Sequence, residues 1–178
     1  MATRNRFAAG RALPLLAALF LLAAALLAPV PRRAAAGGEA DGFVLRIRDW
    51  RTGQIYAEAP AKAGAHVFFG WIHSLEKIPW NEYYHIDEAG NLILDAITFP
   101  AFGAGIPENK GRVCYVKDGL IHMEEIGQVF AELVWLNSHT ATQEILLDGD
   151  YIARGSALPQ RARLRLAIER GDTNGTRP

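Results

Sequence analysis

Alternation between apolar and polar residues, interrupted at short intervals by turn residues, constrains the fold of this chain more than any other feature. Residues 43–48 read Phe-Val-Leu-Arg-Ile-Arg, and residues 163–169 read Arg-Leu-Arg-Leu-Ala-Ile-Glu. A period of two residues places alternate side chains on opposite faces of a β-strand. We therefore predict a half-buried strand at each stretch, and the second is edge-like with its charges outward.

Turn signals divide the rest of the chain into short β-prone runs. Asp118-Gly119 and Asp148-Gly149 are strong hairpin signals, and residues 88–91 form a third turn. Strands are predicted between these turns, with recurrences of about eight to twelve residues: 54–57, 65–72, 80–86, 92–99, 112–117, 120–123, 144–147 and 151–153. The pattern predicts an all-β fold, a small antiparallel barrel or sandwich of about eight to ten short strands.

The segment 126–136 fits two secondary structures. Ile126, Phe130, Leu133 and Val134 have helical spacing, and two acidic residues precede them, as at a helix N-terminus. Residues 130–136 also fit a strand. Because short strands recur regularly elsewhere, we favour the strand and keep the helix as the alternative.

The first 36 residues differ from the rest of the chain. Three arginines precede an apolar run at residues 13–30, and an Ala-Ala-Ala tract follows at residues 34–36. These features are typical of a signal peptide cleaved before Gly37, but the run is also near the length of an uncleaved membrane anchor. Both interpretations predict an exported, periplasmic protein with a linker at 37–42, a β domain at 43–170 and a flexible tail at 171–178.

Charge and cysteine content limit the partners and the chemistry of the exported part. All 19 acidic residues but only 14 of the 19 basic residues follow residue 36, which leaves a net charge of −5. Nucleic acid is not expected as a partner, because binding it needs a concentrated basic surface. Cys114 is the single cysteine, so no internal disulfide forms. Its place in a strand-like run predicts a buried, inert thiol.

The densest polar group lies in the stretch WIHSLEKIPWNEYY at residues 71–84. His73, Ser74 and Glu82 offer a base, a nucleophile and an orienting acid, as in a hydrolase. However, adjacent residues of a strand point to opposite faces, and the chain has no G-x-S-x-G motif. We favour the alternative in which Ser74 and Glu76 satisfy backbone donors in a turn and His73 caps a strand end.

A glycine-rich segment, Phe-Gly-Ala-Gly-Ile-Pro, occupies residues 102–107. Gly103 and Gly105 permit positive φ angles, which can direct successive N–H groups at an anion. Lys77, Lys110 and Arg112 lie near in sequence and would add positive charge. A tight structural turn is the alternative, and we favour it because most glycine pairs serve turns.

The aromatic and histidine residues support fewer conclusions. Trp80, beside a proline in a polar segment, is the best candidate for an exposed contact residue, although core packing is the favoured alternative. The five histidines are scattered without the close spacing of a zinc site. We predict neither a metal site nor a cofactor.

The two polar motifs together carry a resemblance to a bacterial family filed as domain of unknown function 1850. The matching residues are His73, Ser74, Glu76, Lys77, Pro79, Glu82 and Tyr84, followed by Phe102, Gly103, Ala104, Gly105 and Pro107. The resemblance spans about residues 43–168. Ile78 and Trp80 depart from the family pattern, which has a small or polar residue and an aliphatic residue there.

This resemblance implies a compact β domain in an accessory protein found beside TAXI-type tripartite ATP-independent periplasmic (TRAP) transporters, which import organic acids. It implies no enzymatic activity. We expect Trp80 and Tyr83 to contact a TRAP membrane or substrate-binding subunit, or the Gly103 and Gly105 amides to bind a small organic acid. The rival hypotheses are a small exported hydrolase that uses His73, Ser74 and Glu82, and a free-standing carboxylate sensor.

Overall fold

The computed structural model describes residues 42–100 and 109–171. These residues form twelve β-strands and a short 3₁₀ helix at Gly155–Ala157. The strands are β1 Phe43–Asp49, β2 Ile55–Ala61, β3 His66–Ile72, β4 Pro79–Ile86, β5 Leu92–Phe99, β6 Val113–Lys117, β7 Leu120–Glu124, β8 Gln128–Phe130, β9 Glu132–Leu136, β10 Thr142–Leu147, β11 Asp150–Arg154 and β12 Arg163–Arg170. The all-β prediction is confirmed, with twelve strands rather than eight to ten.

Several predicted features fall beyond these two ranges. The signal or anchor segment, the linker up to residue 41 and the tail from residue 172 lie outside the described residues. Within the described residues, no helix has the length and apolar character needed to cross a membrane.

The strands form two antiparallel sheets. The first has the order β2-β1-β12-β9, and the second has the order β11-β10-β3-β4-β5-β7-β6, with β8 also paired to β5. The edge position predicted for β12 is wrong, because β1 and β9 pair with it on either side. Its charges do point outward, where Arg165 forms ion pairs with Glu132 and Glu169.

One continuous apolar core joins the inner faces of the two sheets. Leu45 of β1 and Leu166 of β12 come from the first sheet, and Leu94 and Ile97 of β5 come from the second. All four side chains are at most 1% exposed. The alternating residues that predicted β1 and β12 are therefore the ones that hold the sheets together.

Both Asp-Gly hairpins are confirmed. Asp118 and Gly119 have φ angles of 52° and 76°, and Asp148 and Gly149 have φ angles of 49° and 85°. Two successive positive φ angles are required by a type I′ turn, whose twist matches that of the flanking strands. These turns connect β6 to β7 and β10 to β11.

Residues 126–136 contain two strands, in agreement with the favoured prediction. β8 pairs with β5 in the second sheet, whereas β9 pairs with β12 in the first. Leu133 and Trp135 pack against the core while Val134 and Leu136 are exposed, which is a period of two. The chain thus passes from one sheet to the other around Ala131.

Cys114 corrects one prediction. It lies on β6, an outer strand of the second sheet on which all five residues are exposed. The expectation of a buried thiol is therefore wrong. The strand-like sequence is real, but β6 pairs only with β7 and contributes nothing to the core.

Candidate functional site

Trp80, Glu82 and Tyr84 alternate along β4 and face the interior between the two sheets. Trp80 pairs with Trp71 of β3, and Glu82 pairs with Phe69 of the same strand. Because alternate residues share one face of a strand, the W-x-E-x-Y sequence places an acidic side chain among buried aromatic rings. Ionisable side chains are seldom placed in such surroundings without a partner.

The Glu82 carboxylate accepts hydrogen bonds from neighbouring aromatic side chains. The indole Nε1–H of Trp80 donates to Oε1 at 3.1 Å, and the hydroxyl of Tyr84 donates to Oε2 at 2.7 Å. The Trp71 side chain is a third donor. Among the described residues, no Arg, Lys or His forms an ion pair with this carboxylate.

Burial raises the pKa of Glu82 above its ordinary value. The hydrogen bonds from Tyr84, Trp80 and Trp71 and the positive charge of Lys110 act in the opposite direction, but burial outweighs them. The pKa of the Tyr84 hydroxyl is also raised, by its own burial and by the neighbouring carboxylate. The hydroxyl of Tyr84 therefore stays protonated and donates to Glu82.

A cavity of about 480 Å³ opens at Glu82, where β9 of the first sheet faces β3, β4 and β8 of the second. We call it the Glu82 cavity, and its size is within the usual range for small-molecule sites. Its walls are mainly apolar and aromatic. The residues that line it include Phe69, Trp71, Glu82, Tyr84, Leu94, Lys110, Phe130, Glu132, Leu133 and Trp135.

Trp135 and Lys110, which both line the Glu82 cavity, carry hydrogen-bond donors that have no acceptor within the described structure. The indole Nε1 of Trp135 is buried and unpaired. Its ring is fixed by an edge-to-face contact with Phe69, at 5.2 Å between centroids. Lys110 is exposed and forms no ion pair within the described ranges, although its backbone N–H donates to Met123 Sδ at 3.3 Å. The other acid of the lining, Glu132, is paired with Arg165 at 3.3 Å.

The three residues of the hydrolase hypothesis have separate partners. The ring Nδ1 of His73 accepts a hydrogen bond from the backbone N–H of Glu76 at 3.4 Å, within the turn that follows β3. Ser74 is exposed in that turn, and no hydrogen bond joins its hydroxyl to His73 within the described residues. Glu82 is held by Trp80 and Tyr84 instead.

The predicted contact residues Trp80 and Tyr83 point to opposite faces of the second sheet. Trp80 is 7% exposed and stacks on Phe99 at 4.8 Å, so it is a core residue and its expected contact role is corrected. Tyr83 is exposed on the outer face, where its ring lies 5.3 Å from that of Phe68. Tyr84 returns to the inner face and is buried.

The second predicted motif is outside the structure. Phe102, Gly103, Ala104, Gly105 and Pro107 lie outside the described residues, so both the anion-binding turn and the structural turn that is its alternative remain predictions. In the described ranges, no three His, Cys, Asp or Glu side chains come close enough to hold a metal ion.

The sequence motifs missed much of the Glu82 cavity. Phe69, Phe130 and Trp135 come from three other strands, and Trp135 belongs to the segment whose structure the pattern left open. One signal was present in the sequence. The period-two alignment of Trp80, Glu82 and Tyr84 predicts that an acid shares a face with two aromatic residues.

The fold and the site define an all-β domain with a small-molecule-sized cavity around a buried carboxylate. The family model described as Domain of unknown function (DUF1850) matches residues 67–153. This match confirms the resemblance inferred from the motifs. No curated protein and no solved structure gives a significant match to the chain.

Proposed function

We propose that this chain is an exported, non-enzymatic accessory protein of a TRAP-type transporter and that it binds a small organic acid in the Glu82 cavity. The observation that carries the binding proposal is the pair of unmatched donors, Trp135 Nε1 and the Lys110 ammonium, on a cavity with apolar walls. A buried N–H group without an acceptor is unfavourable, so a ligand acceptor at this point gains free energy.

A carboxylate suits these donors better than a neutral acceptor does. Hydrogen bonds to a charged acceptor are shorter and about twice as strong as neutral ones. The apolar walls provided by Leu94, Phe130 and Leu133 would hold the carbon skeleton of the acid. The cavity therefore offers one polar end for the acid group and a larger apolar part for the rest of the ligand.

The geometry gives the hydrolase alternative no support. Nucleophilic catalysis by serine needs a base within hydrogen-bond reach of the hydroxyl. His73 Nδ1 instead accepts a backbone N–H, and Glu82 is bonded to aromatic side chains. A serine-directed activity probe should leave the full chain unlabelled, whereas labelling that is lost in Ser74→Ala would favour the enzyme.

Calorimetric titration of the full chain with a panel of organic acids tests the binding proposal. We expect micromolar binding of at least one acid and a loss of about tenfold or more in Trp135→Phe, which keeps the ring and removes the N–H. Lys110→Gln should also weaken binding. Lys117→Gln is its matched control, because Lys117 is exposed on β6 away from the cavity.

Two outcomes would contradict the binding proposal. One is the absence of heat with every acid in the panel. The other is a Trp135→Phe variant that is folded and binds as tightly as the wild type.

The transporter association rests on the family resemblance and on the leader-like N-terminus. It is tested by capturing the tagged full chain from membranes and identifying TRAP subunits in the captured material. Deletion of the gene should reduce uptake of the organic acid. If uptake is unchanged and no transporter subunit is captured, the accessory role fails even if the ligand binding stands.

A further inference from the structure

Glu82 forms no ion pair among the described residues, whereas two other partly buried acids do, and Lys110 acts on it only through longer-range attraction. Glu169 is paired with Arg46, Arg48 and Arg165, and Glu132 is paired with Arg165. The three hydrogen-bond donors that Glu82 has in the described part of the chain are neutral aromatic side chains. A buried carboxylate without an opposite charge is unfavourable, and a ligand cation at this point would offset that cost.

As far as the described residues show, the Glu82 carboxylate has room for one more donor. Its two oxygens together offer about four acceptor positions. Trp80 occupies one position on Oε1, Tyr84 occupies one on Oε2, and Trp71 contributes the third donor. Because Glu82 lines the cavity, the remaining position is available to a group that enters it.

We propose that the ligand of the Glu82 cavity is an apolar α-amino acid, whose ammonium donates to Glu82 and whose carboxylate accepts from Trp135 Nε1 and Lys110. This inference rests on the proposed function and specifies the class of acid. It follows from two features of the lining within the described residues: the Glu82 carboxylate has no ion pair, and Trp135 and Lys110 carry donors that have no acceptor.

A ligand that carries only one of the two charged groups fits the cavity less well than an amino acid does. A simple carboxylate would satisfy Trp135 and Lys110 but would bring a second negative charge beside Glu82. A simple amine would satisfy Glu82 but would leave the Trp135 N–H unpaired and would add a positive charge near Lys110. A ligand that carries both charges avoids both costs.

The walls select an apolar side chain on that amino acid. Phe69, Leu94, Phe130 and Leu133 are apolar residues of the lining. Phe130 is held edge-to-face against Tyr84 at 5.9 Å between ring centroids. A branched aliphatic side chain placed there is removed from water, and aromatic faces also attract an adjacent ammonium group.

Calorimetry with three probes of matched carbon skeleton tests this inference on the full chain. L-leucine carries both charged groups, isocaproate lacks the ammonium and isoamylamine lacks the carboxylate. We expect leucine to bind at least about tenfold tighter than either of the others, the difference that one charge-assisted hydrogen bond provides. In Glu82→Gln the preference for leucine over isocaproate should disappear, whereas Lys117→Gln should keep it.

The outcomes separate this inference from the proposed function. If isocaproate binds the wild type as tightly as leucine does, the amino-acid inference is overturned and organic-acid binding stands. If neither acid nor any other member of the acid panel binds, both are overturned. The comparison within the wild type does not depend on the variants, so a Glu82→Gln protein that fails to fold leaves the test intact.

Discussion

Replacing Tyr84 with Phe tests whether Glu82 is held as a buried carboxylate. The hydroxyl of Tyr84 donates to Glu82 Oε2 at 2.7 Å, and the Tyr84 residue is 2% exposed. Phe keeps the ring and its edge-to-face contact with Phe130, so the change removes one hydrogen bond. A hydrogen bond to an ionised group contributes ~1.5–3 kcal/mol to the free energy of unfolding, and a neutral one contributes ~0.5–1.5 kcal/mol.

The cost of Tyr84→Phe should therefore depend on pH. Burial raises the pKa of Glu82 in the folded state above its ordinary value. The stability that protonated Glu82 contributes is therefore fully present below the ordinary pKa and is lost as pH rises through the folded-state pKa. Tyr84 lowers the pKa of Glu82, and its removal raises that pKa further. The destabilisation caused by Tyr84→Phe should grow from ~0.5–1.5 kcal/mol at about pH 4 to ~1.5–3 kcal/mol at about pH 8.

Urea unfolding followed by tryptophan fluorescence measures this cost, provided that the slope with denaturant is unchanged. The four proteins needed are the wild type, Tyr84→Phe, Glu82→Gln and the double variant. In the Glu82→Gln background the cost of Tyr84→Phe should lose its pH dependence, which gives a coupling energy.

Tyr83→Phe is the matched control, because Tyr83 is exposed on the opposite face, and it should change the free energy of unfolding by less than ~0.5 kcal/mol. A cost that is the same at every pH, or the same in both backgrounds, would refute the argument.

Three further predictions concern the fold. Leu166→Ala should lower the free energy of unfolding by ~2–5 kcal/mol, because Leu166 is 0% exposed. Val134→Ala, at a position that is 39% exposed, should lower it far less, and denaturant unfolding of the two variants measures the difference. Gly155→Ala should strongly destabilise the folded chain, because an added Cβ would overlap the backbone of residues 138 and 142. A thermal melt in which this variant has the Tm of the wild type would contradict the prediction. Cys114 should react with a thiol reagent in the folded chain as fast as in urea, and strong protection would contradict its exposure.

Local patterns in the sequence predicted most of the fold. The period-two stretches became β1 and β12, and both Asp-Gly pairs became hairpin turns with positive φ angles. These features depend on neighbouring residues, and the chain adopts them because the local preference and the burial pattern agree. The prediction of a buried Cys114 was wrong because burial is not a local property. A strand-like sequence does not indicate whether a second layer covers the strand, and β6 is exposed.

The candidate site was predictable only in part. The sequence motif led to Glu82 and Tyr84, but it also led to Trp80 as a contact residue, and Trp80 is instead packed on Phe99. Trp135 was not assigned to any site, and Lys110 was named only as a charge beside the glycine-rich segment. No local signal relates them to Glu82, since they are 53 and 28 residues away along the chain.

The sequence by itself determined the β class, the hairpins, the face of β4 on which Glu82 lies and the DUF1850 resemblance. Each of these follows from residue type and short-range spacing. Only the tertiary structure decided that β8 joins one sheet and β9 the other, which opens the Glu82 cavity between them. Whether a polar group finds a partner depends on which distant strands pack together. Among the described residues, the lack of an ion pair at Glu82 and the unpaired N–H of Trp135 are therefore properties of the folded chain alone.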